Sequence, residues 1–557
     1  MEKKMSPKIF NLIKNKEITK EQVMKDIMAG IIVAIIALPL SIALGISSGV
    51  SPEKGLITAI IAGFIISLFG GSRVQIGGPT GAFVVLVYTI VQAYGINGLI
   101  IATLMAGIIL VIMGVLKLGT LIKFVPNTIT IGFTSGIAIT LLSTQVKDFL
   151  GLTIEKVPAE FIPKWQSYFA NMSSFNFTAL IVGAVAILIM VYWPKVNKTI
   201  PGSVIALVLT TLVVQVFNLP VETIGSRFTH ISSAIPTPSL PMLDFETIKL
   251  MFKPAFTIAI LAAIESLLSA VVADGMIEDT HDSNMELIAQ GLGNIGSALF
   301  GGIPATGAIA RTAANVKNGG RSPISGMVHA ITLFLIMVLF MPLAKMIPMT
   351  TLASVLIVVS YNMGEWATFK RLLKAPKSDV ATLLITFVLT IVFDLVVAIE
   401  IGMVVAMFLW IKKLSETTDI IKVEGEKTYT RSDGKVITMD NDKILVYEVN
   451  GPFFFGVVQD FIKVVNEIET SAEVLILDMR HTQALDASAV SALVKLHRHC
   501  KKNKIKFMLV NLQSQPTKVL TKMKYIKKLG ENSVFKTKAE GIKSAFGYLN
   551  RGKEVSV

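Results

Sequence analysis

Two short stretches, far apart in the chain, repeat one pattern. The first is Gly70-Gly71 followed by Gly78-Pro79-Thr80-Gly81-Ala82; the second is Gly301-Gly302 followed by Pro304-Ala305-Thr306-Gly307-Ala308. Each interrupts a long apolar region, where an unbroken helix is the default way to satisfy the backbone away from water. A break there exposes N–H groups that are tolerated only beside protein or a water-filled cavity. The helix that resumes after the break starts with a partially positive end that favours anions. Matching breaks in two halves of one chain point to a binding site near the middle of a membrane. The expectation is an anion site between two half-helices.

The composition agrees with a membrane setting. Of 557 residues, 52% are hydrophobic and 16% charged, against roughly 25% charged in a soluble domain. Apolar runs lie near 27–47, 53–70, 79–93, 97–117, 124–146, 176–193 and 200–218, and again near 250–273, 286–300, 305–316, 324–346, 348–361, 379–396 and 397–411. A run of about 20 residues spans a bilayer. Those at 79–93 and 305–316 are short and rich in Gly and Thr, as half-helices would be. This predicts seven elements plus seven. An odd number per half inverts the second half relative to the first; a parallel repeat needs an even number.

Charge tests that count. Lys117 and Lys123, Lys195 and Lys198, Lys317 and Arg321, Lys370 to Lys377, and Lys412 and Lys413 all fall in loops on one side. The positive-inside rule makes that side, and both termini, cytoplasmic. One loop disagrees, because Asp274, Glu278, Asp279 and Asp282 make residues 274–286 acidic; acids carry little topological weight. The net charge of +14 then reflects topology and anionic lipid rather than nucleic acid. Residues 1–25 read as a polar, Lys-rich cytoplasmic segment and not as a cleavable signal.

Residues 26–414 thus form the membrane region, and 415–557 a linker and a soluble domain. Lys443–Val449, Glu473–Met479 and Ile505–Asn511 read as strands. Val457–Glu469, Ala487–Lys502, Ser514–Leu529 and Ala539–Leu549 read as helices. Alternating elements imply an α/β fold with a mixed sheet. A single cysteine, Cys500, excludes an internal disulfide. His497, His499 and Cys500 do not converge on one helix face as metal ligands would. Gly291-Leu292-Gly293-Asn294-Ile295-Gly296 matches a dinucleotide fingerprint in letters only, since no strand precedes it. With no ATPase motif, any uphill movement must use an ion gradient or exchange.

Candidate site residues follow from the breaks. The N–H groups of Gly81, Ala82, Gly307 and Ala308, with Thr80, Ala305 and Thr306, can face one anion from opposite sides. One helix end contributes up to about 2 kcal/mol when partly buried, less than the cost of desolvating an anion. Two ends, hydroxyls and a cation are therefore needed, and Arg311 is the nearest cation in sequence. Glu265 lies inside an apolar span, where an acid costs roughly 2.5–3.5 kcal/mol on insertion scales and marks function by default. Ser269 sits one turn later on the same face. Glu265, Ser269 and Thr306 can hold Na⁺, or Glu265 can carry H⁺; the residues leave both open. No other cofactor is expected. Pro39 is expected to kink the first span.

The two break motifs, with Arg73 after the first and Ile309-Ala310-Arg311-Thr312 after the second, resemble the SulP family of sulfate permeases, counterpart of animal solute carrier family 26. The region from about 440 resembles its STAS domain. The resemblance implies an inverted repeat divided into core and gate domains, homodimers, and an elevator movement of the core. It places the anion at Thr80–Ala82 and Ala305–Ala308. Bicarbonate-transporting bacterial members hold Na⁺ with Asp and Thr at the positions of Glu265 and Ser269; Glu and Ser here are closer to proton-coupled relatives. Where many sulfate and animal members read Pro-Gln-Gly, this chain reads Pro39-Leu40-Ser41. Ser488 matches the phosphorylatable position of anti-sigma antagonists, but Ala489 replaces the usual Gly.

The leading reading is a secondary transporter of a small inorganic or carboxylate anion (sulfate, bicarbonate or a dicarboxylate) in the cell membrane, coupled to H⁺ or Na⁺ through Glu265. A cytoplasmic regulatory protein at the STAS domain is the expected macromolecular partner. The alternatives are a nucleobase permease of the same seven-plus-seven plan and a membrane-anchored STAS signalling protein. No nucleophile–base pair suggests an enzyme.

Overall fold

The computed structural model describes residues 5–120, 126–197, 201–228, 237–241, 244–393, 395–416, 418–423, 428–430, 436–438, 443–458, 461 and 472–551. The chain divides into two units, Met1–Met403 and Val404–Val557, each described by itself.

Among the described residues of the first unit, seven helices are long and apolar enough to cross a membrane. The first three are Lys20–Ser47, Pro52–Phe69 and the long segment Gly81–Val115. That third segment joins two of the expected elements across a kink at Gly95, whose φ of 68° suits glycine. Then come Asn127–Leu150, Phe177–Val196 and the shorter Gly202–Val216. The later set comprises Phe245–Ile277, Ser283–Leu299, Ile309–Lys317, Ile324–Ala344, Met349–Met363, Lys377–Val392 and Leu395–Glu416. Taking the two sides of Gly95 separately, the described elements number seven and seven. The first helix stays helical through Pro39. Its missing N–H therefore does not end the element.

Local chemistry sets the ends. Thr19, Asn176, Asp244 and Asp282 cap helix starts with side-chain oxygens, and Gly151 closes a helix in the left-handed region. The Gly291-to-Gly296 stretch packs helices. A side chain on Gly291 would meet the Gly107 carbonyl at 2.5 Å, and one on Gly107 would meet the Gly291 carbonyl at 2.7 Å. Backbones that touch in this way need small residues at the crossing. Outward-facing Ile108, Ile112, Leu188, Leu212 and Phe252 are exposed, as lipid contact requires.

The acidic 274–286 loop has a structural reason. Asp279 pairs with Lys8 at 2.9 Å and with Arg73 at 3.7 Å. Asp282 caps the next helix, and Asp274 accepts from His281. The N-terminal helix Lys8–Lys14 buries Ile9 and Leu12 and donates from the Lys8 N–H to the Gly70 carbonyl. Part of the Lys-rich lead is thus packed against the first break.

In the second unit a five-stranded mixed sheet runs Asp419–Lys422, Ile444–Asn450, Val474–Asp478, Lys506–Val510, Val534–Phe535 in spatial order. The first pair is antiparallel and the rest are parallel. The two edge strands escape the sequence reading because they are short. The predicted Ser514–Leu529 helix is two helices, Ser514–Lys522 and Tyr525–Leu529, separated by Lys524 at φ 57°. Most of the predicted Val457–Glu469 helix lies outside the described residues. Cys500 is buried, which pushes its thiol up to about 12. Ser488 is exposed in the first turn of its helix, which Asp486 caps through the Ala489 N–H.

A candidate anion site between two broken helices

The two breaks meet. Gly77–Gly78 pairs antiparallel with Thr306–Gly307, Gly77 opposite Gly307 and Gly78 opposite Thr306. The Ala308 N–H extends the pairing to the Ile76 carbonyl at 2.9 Å. Backbone groups freed by each break are therefore satisfied partly by the other break, as a membrane interior demands.

Each strand then turns into a helix. After Thr80 a short 3-10 turn, Gly81–Phe83, leads into the long helix. After Ala308 the nine-residue helix Ile309–Lys317 begins. Both starts open on one cavity of about 300 Å³. Thr80, Gly81, Gly307, Ala308, Arg311 and Glu265 line it, and Phe133, Asn362 and Met363 form part of the facing wall.

Thr80 Oγ1 donates to Glu265 Oε2 at 2.9 Å. This bond ties the first half-helix to the Phe245–Ile277 helix. Arg311 is 2% exposed. Its Nη2 donates to the Pro79 carbonyl, while Nε and Nη1 have no hydrogen-bond partner among the described residues. Gly78 makes this approach geometrically feasible. Its φ is 150°, and a Cβ there would lie 2.5 Å from Arg311 Nη1. The cavity therefore combines two helix starts with a cation that no carboxylate among the described residues contacts directly.

Other sequence candidates are placed differently. Ala82 is buried behind the lining. The Ala305 N–H donates to Asn294 Oδ1 at 2.9 Å, and its carbonyl accepts from Asn294 Nδ2 at 2.8 Å. Thr306 Oγ1 donates to the Ala262 carbonyl at 2.9 Å. Ser269 Oγ donates to Thr312 Oγ1 at 3.4 Å. Ser269 and Thr306 thus direct their hydroxyl protons to other chain oxygens, and neither lines the cavity with Glu265.

The support of the site comes from residues that sequence reasoning missed. Glu286, fully buried, accepts from the Gly71 and Ser72 N–H groups and from the Gln75 and Gln290 amides. Gln75 also donates to the Ser266 carbonyl, beside Glu265. Asn294 holds Ala305, and Ser297 donates to the Ile303 carbonyl at 2.7 Å. Glu286, Gln290, Asn294 and Ser297 form one stripe of the Ser283–Leu299 helix, and that stripe grips both breaks. The signal was polar residues four, four and three apart in an apolar run, all on one helix face.

Comparison with known proteins gives a consistent picture. The sulfate permease family model matches residues 23–386, and the STAS domain model matches residues 435–541. The chain is 39% identical to the putative sulfate transporter YvdB of Bacillus subtilis over 87% of this chain and 90% of that protein. It is 29% identical to the bicarbonate transporter BicA of Synechocystis over 88% of each. The transmembrane domain of a cyanobacterial BicA aligns with a TM-score of 0.63 at 31% identity, covering 69% of this chain and 98% of that one. The structure of SLC26A9 aligns with a TM-score of 0.86 at 18% identity, covering 98% and 94%, which shows a shared fold.

Proposed function

The chain belongs to the sulfate permease family of integral membrane transporters, and we propose that it is a secondary transporter of a small oxyanion coupled to protons through Glu265. One observation carries the reading: both half-helix starts, Arg311 and Glu265 share a single cavity. The anion sits against the Gly81 and Ala308–Ala310 region, where each helix begins and the dipole favours negative charge. Arg311 supplies the full charge that two helix ends lack.

Bicarbonate and sulfate are the anions named for relatives, and both present the planar or tetrahedral oxygens that backbone donors recognise. A cavity of about 300 Å³ exceeds the roughly 30 Å³ share of one water, so a partly hydrated anion or a short dicarboxylate also fits. Proton coupling is favoured over Na⁺ because Ser269 and Thr306, the hydroxyls that would complete a Na⁺ site, do not line the cavity with Glu265. The transporter works as a homodimer in the cell membrane, with both termini cytoplasmic and the half-helix-bearing core moving as an elevator. The STAS domain offers a cytoplasmic regulatory partner its surface.

The test is uptake of labelled bicarbonate, sulfate and fumarate into proteoliposomes, with inward pH and Na⁺ gradients imposed separately. Accumulation under the pH gradient alone is expected. Uptake no greater than in protein-free vesicles overturns the transport reading, and accumulation driven only by Na⁺ overturns the coupling.

A further inference from the structure

One face of the Asn127–Leu150 helix runs along the seam that holds the anion cavity. This helix packs mainly on Met349–Met363 and Lys377–Val392. Lys20–Ser47 packs mainly on Pro52–Phe69 and Ile324–Ala344, and the Gly81–Val115 segment on Phe245–Ile277 and Ser283–Leu299. The cavity lies where the two sets of helices meet. Thr130, Thr134, Leu141 and Gln145 are four, seven and four residues apart, which puts them on one helix face. Near the start of the helix, Thr130 and Thr134 line the cavity, together with Asn362 and Glu365. Further along, the seam is shut. Leu141 is buried, and a Cβ on Gly81 would meet its Cδ2 at 2.7 Å. One turn beyond, Gln145 Nε2 donates to Ser47 Oγ at 3.2 Å. Past the end of the helix, the Tyr88 hydroxyl donates to the Val157 carbonyl at 2.7 Å. Tyr88 belongs to the half-helix that starts at the cavity. Its ring packs on Gly49, where a Cβ would lie 3.1 Å from Tyr88 Cδ2.

The cavity is therefore open toward the Asn127 end of the seam and closed toward the Leu150 end. We propose that the Tyr88–Val157 and Gln145–Ser47 bonds form a latch that keeps the outer side of the anion site shut, so that Tyr88 and Gln145 are positioning residues that set how often the site opens outward. The inference rests on the transport reading above, which puts the start of the Asn127–Leu150 helix on the cytoplasmic side. Each bond joins one set of helices to the other, so both must break before the sets part on that side. Neither side chain lines the cavity, so the latch acts on access to the anion and not on its contacts. Loss of one hydrogen bond of ordinary strength shifts such a two-state balance about fivefold.

The test reads the outward opening directly, in the full-length protein. Cys500 is the single cysteine of the sequence, so a Cys500→Ala background leaves an introduced thiol alone. In whole cells, a membrane-impermeant maleimide reaches Leu141→Cys only when the seam opens outward. Adding Tyr88→Phe, which keeps the ring, or Gln145→Met, which keeps the length, is expected to raise the labelling rate about fivefold. Ile137→Cys, buried one turn nearer the site, takes the same reading if Leu141→Cys does not fold. In inverted vesicles, Thr130→Cys at the inner mouth should be labelled no faster in either variant. Unchanged outer labelling in either variant, or a matching acceleration at Thr130→Cys, overturns the latch. Absence of uptake by the wild-type protein counts against the transport reading alone, because labelling needs no substrate and still decides the latch.

Discussion

Thr80 Oγ1 donates to Glu265 Oε2 at 2.9 Å, so the hydroxyl at the start of one half-helix is joined to the buried acid that lines the same cavity. The position of the first break and the state of the Glu265 carboxyl are therefore joined through one hydrogen bond.

Glu265→Gln separates binding from coupling. The amide oxygen still accepts from Thr80, so the half-helix keeps its anchor and anion binding persists. Accumulation under a pH gradient should fall to background, while exchange of labelled for unlabelled anion continues. Uptake assays and calorimetric anion titration check both halves; undiminished uphill accumulation would sink the idea.

Gly78→Ala places a methyl where Arg311 Nη1 now lies, 2.5 Å from the ideal Cβ, and 3.3 Å from the Ala59 backbone. The backbone φ of 150° adds strain. The guanidinium must leave the Pro79 carbonyl. The displaced guanidinium then no longer donates to the anion, and a hydrogen bond to a charged group contributes about 1.5–3 kcal/mol, so anion affinity should drop about tenfold or more. Wild-type affinity in this variant contradicts the geometry.

Asn294→Leu removes both partners of Ala305, leaving a buried N–H and carbonyl unpaired. Each such group costs about 1–3 kcal/mol. The detergent-solubilised variant should lose its fold at a temperature several degrees lower, and Asn294→Asp, which keeps the acceptor, should fall between. Equal thermal stability of all three proteins in a fluorescence melt refutes the assignment.

The N-terminal helix should detach in acid. Partial burial works against the Asp279 carboxylate, but the bond from Lys8 and the nearby Arg73 hold its carboxyl below the usual range. A carboxyl lowered on folding lends stability above its unfolded pKa of about 3.9 and loses it as pH falls through the folded value. The protection of the Lys8–Lys14 amides, measured relative to their intrinsic exchange rates, should therefore fall as the pH drops below about 4. Asp279→Asn should show the same opening at neutral pH. Unchanged protection in that variant would exclude the ion pair as the anchor.

The sequence was most legible where one physical rule acts alone. A bilayer forbids unsatisfied backbone, so hydropathy located the membrane elements, and the Gly-Pro-Thr breaks located the cavity between them. Alternation of apolar strands and amphipathic helices showed the α/β domain, because its three central strands each bury a full face. Short elements were harder: Asp419–Lys422 and Val534–Phe535 exist because neighbouring strands offer an edge, and nothing local in four or two residues announces that.

What only tertiary structure decided is which atoms of the motifs remain open. The repeated motif matched Thr80 with Thr306 and put Gly81 and Ala305 in one set of candidate site residues. Folding gave Thr80 to Glu265 and Thr306 to a helix carbonyl, and it closed Ala305 on Asn294 while leaving Gly81 at the cavity. The reason is that a buried polar group takes whichever partner the packing of distant helices brings within about 3 Å. The chain alone fixes that such partners must exist; the assembly of helices far apart in sequence fixes which they are.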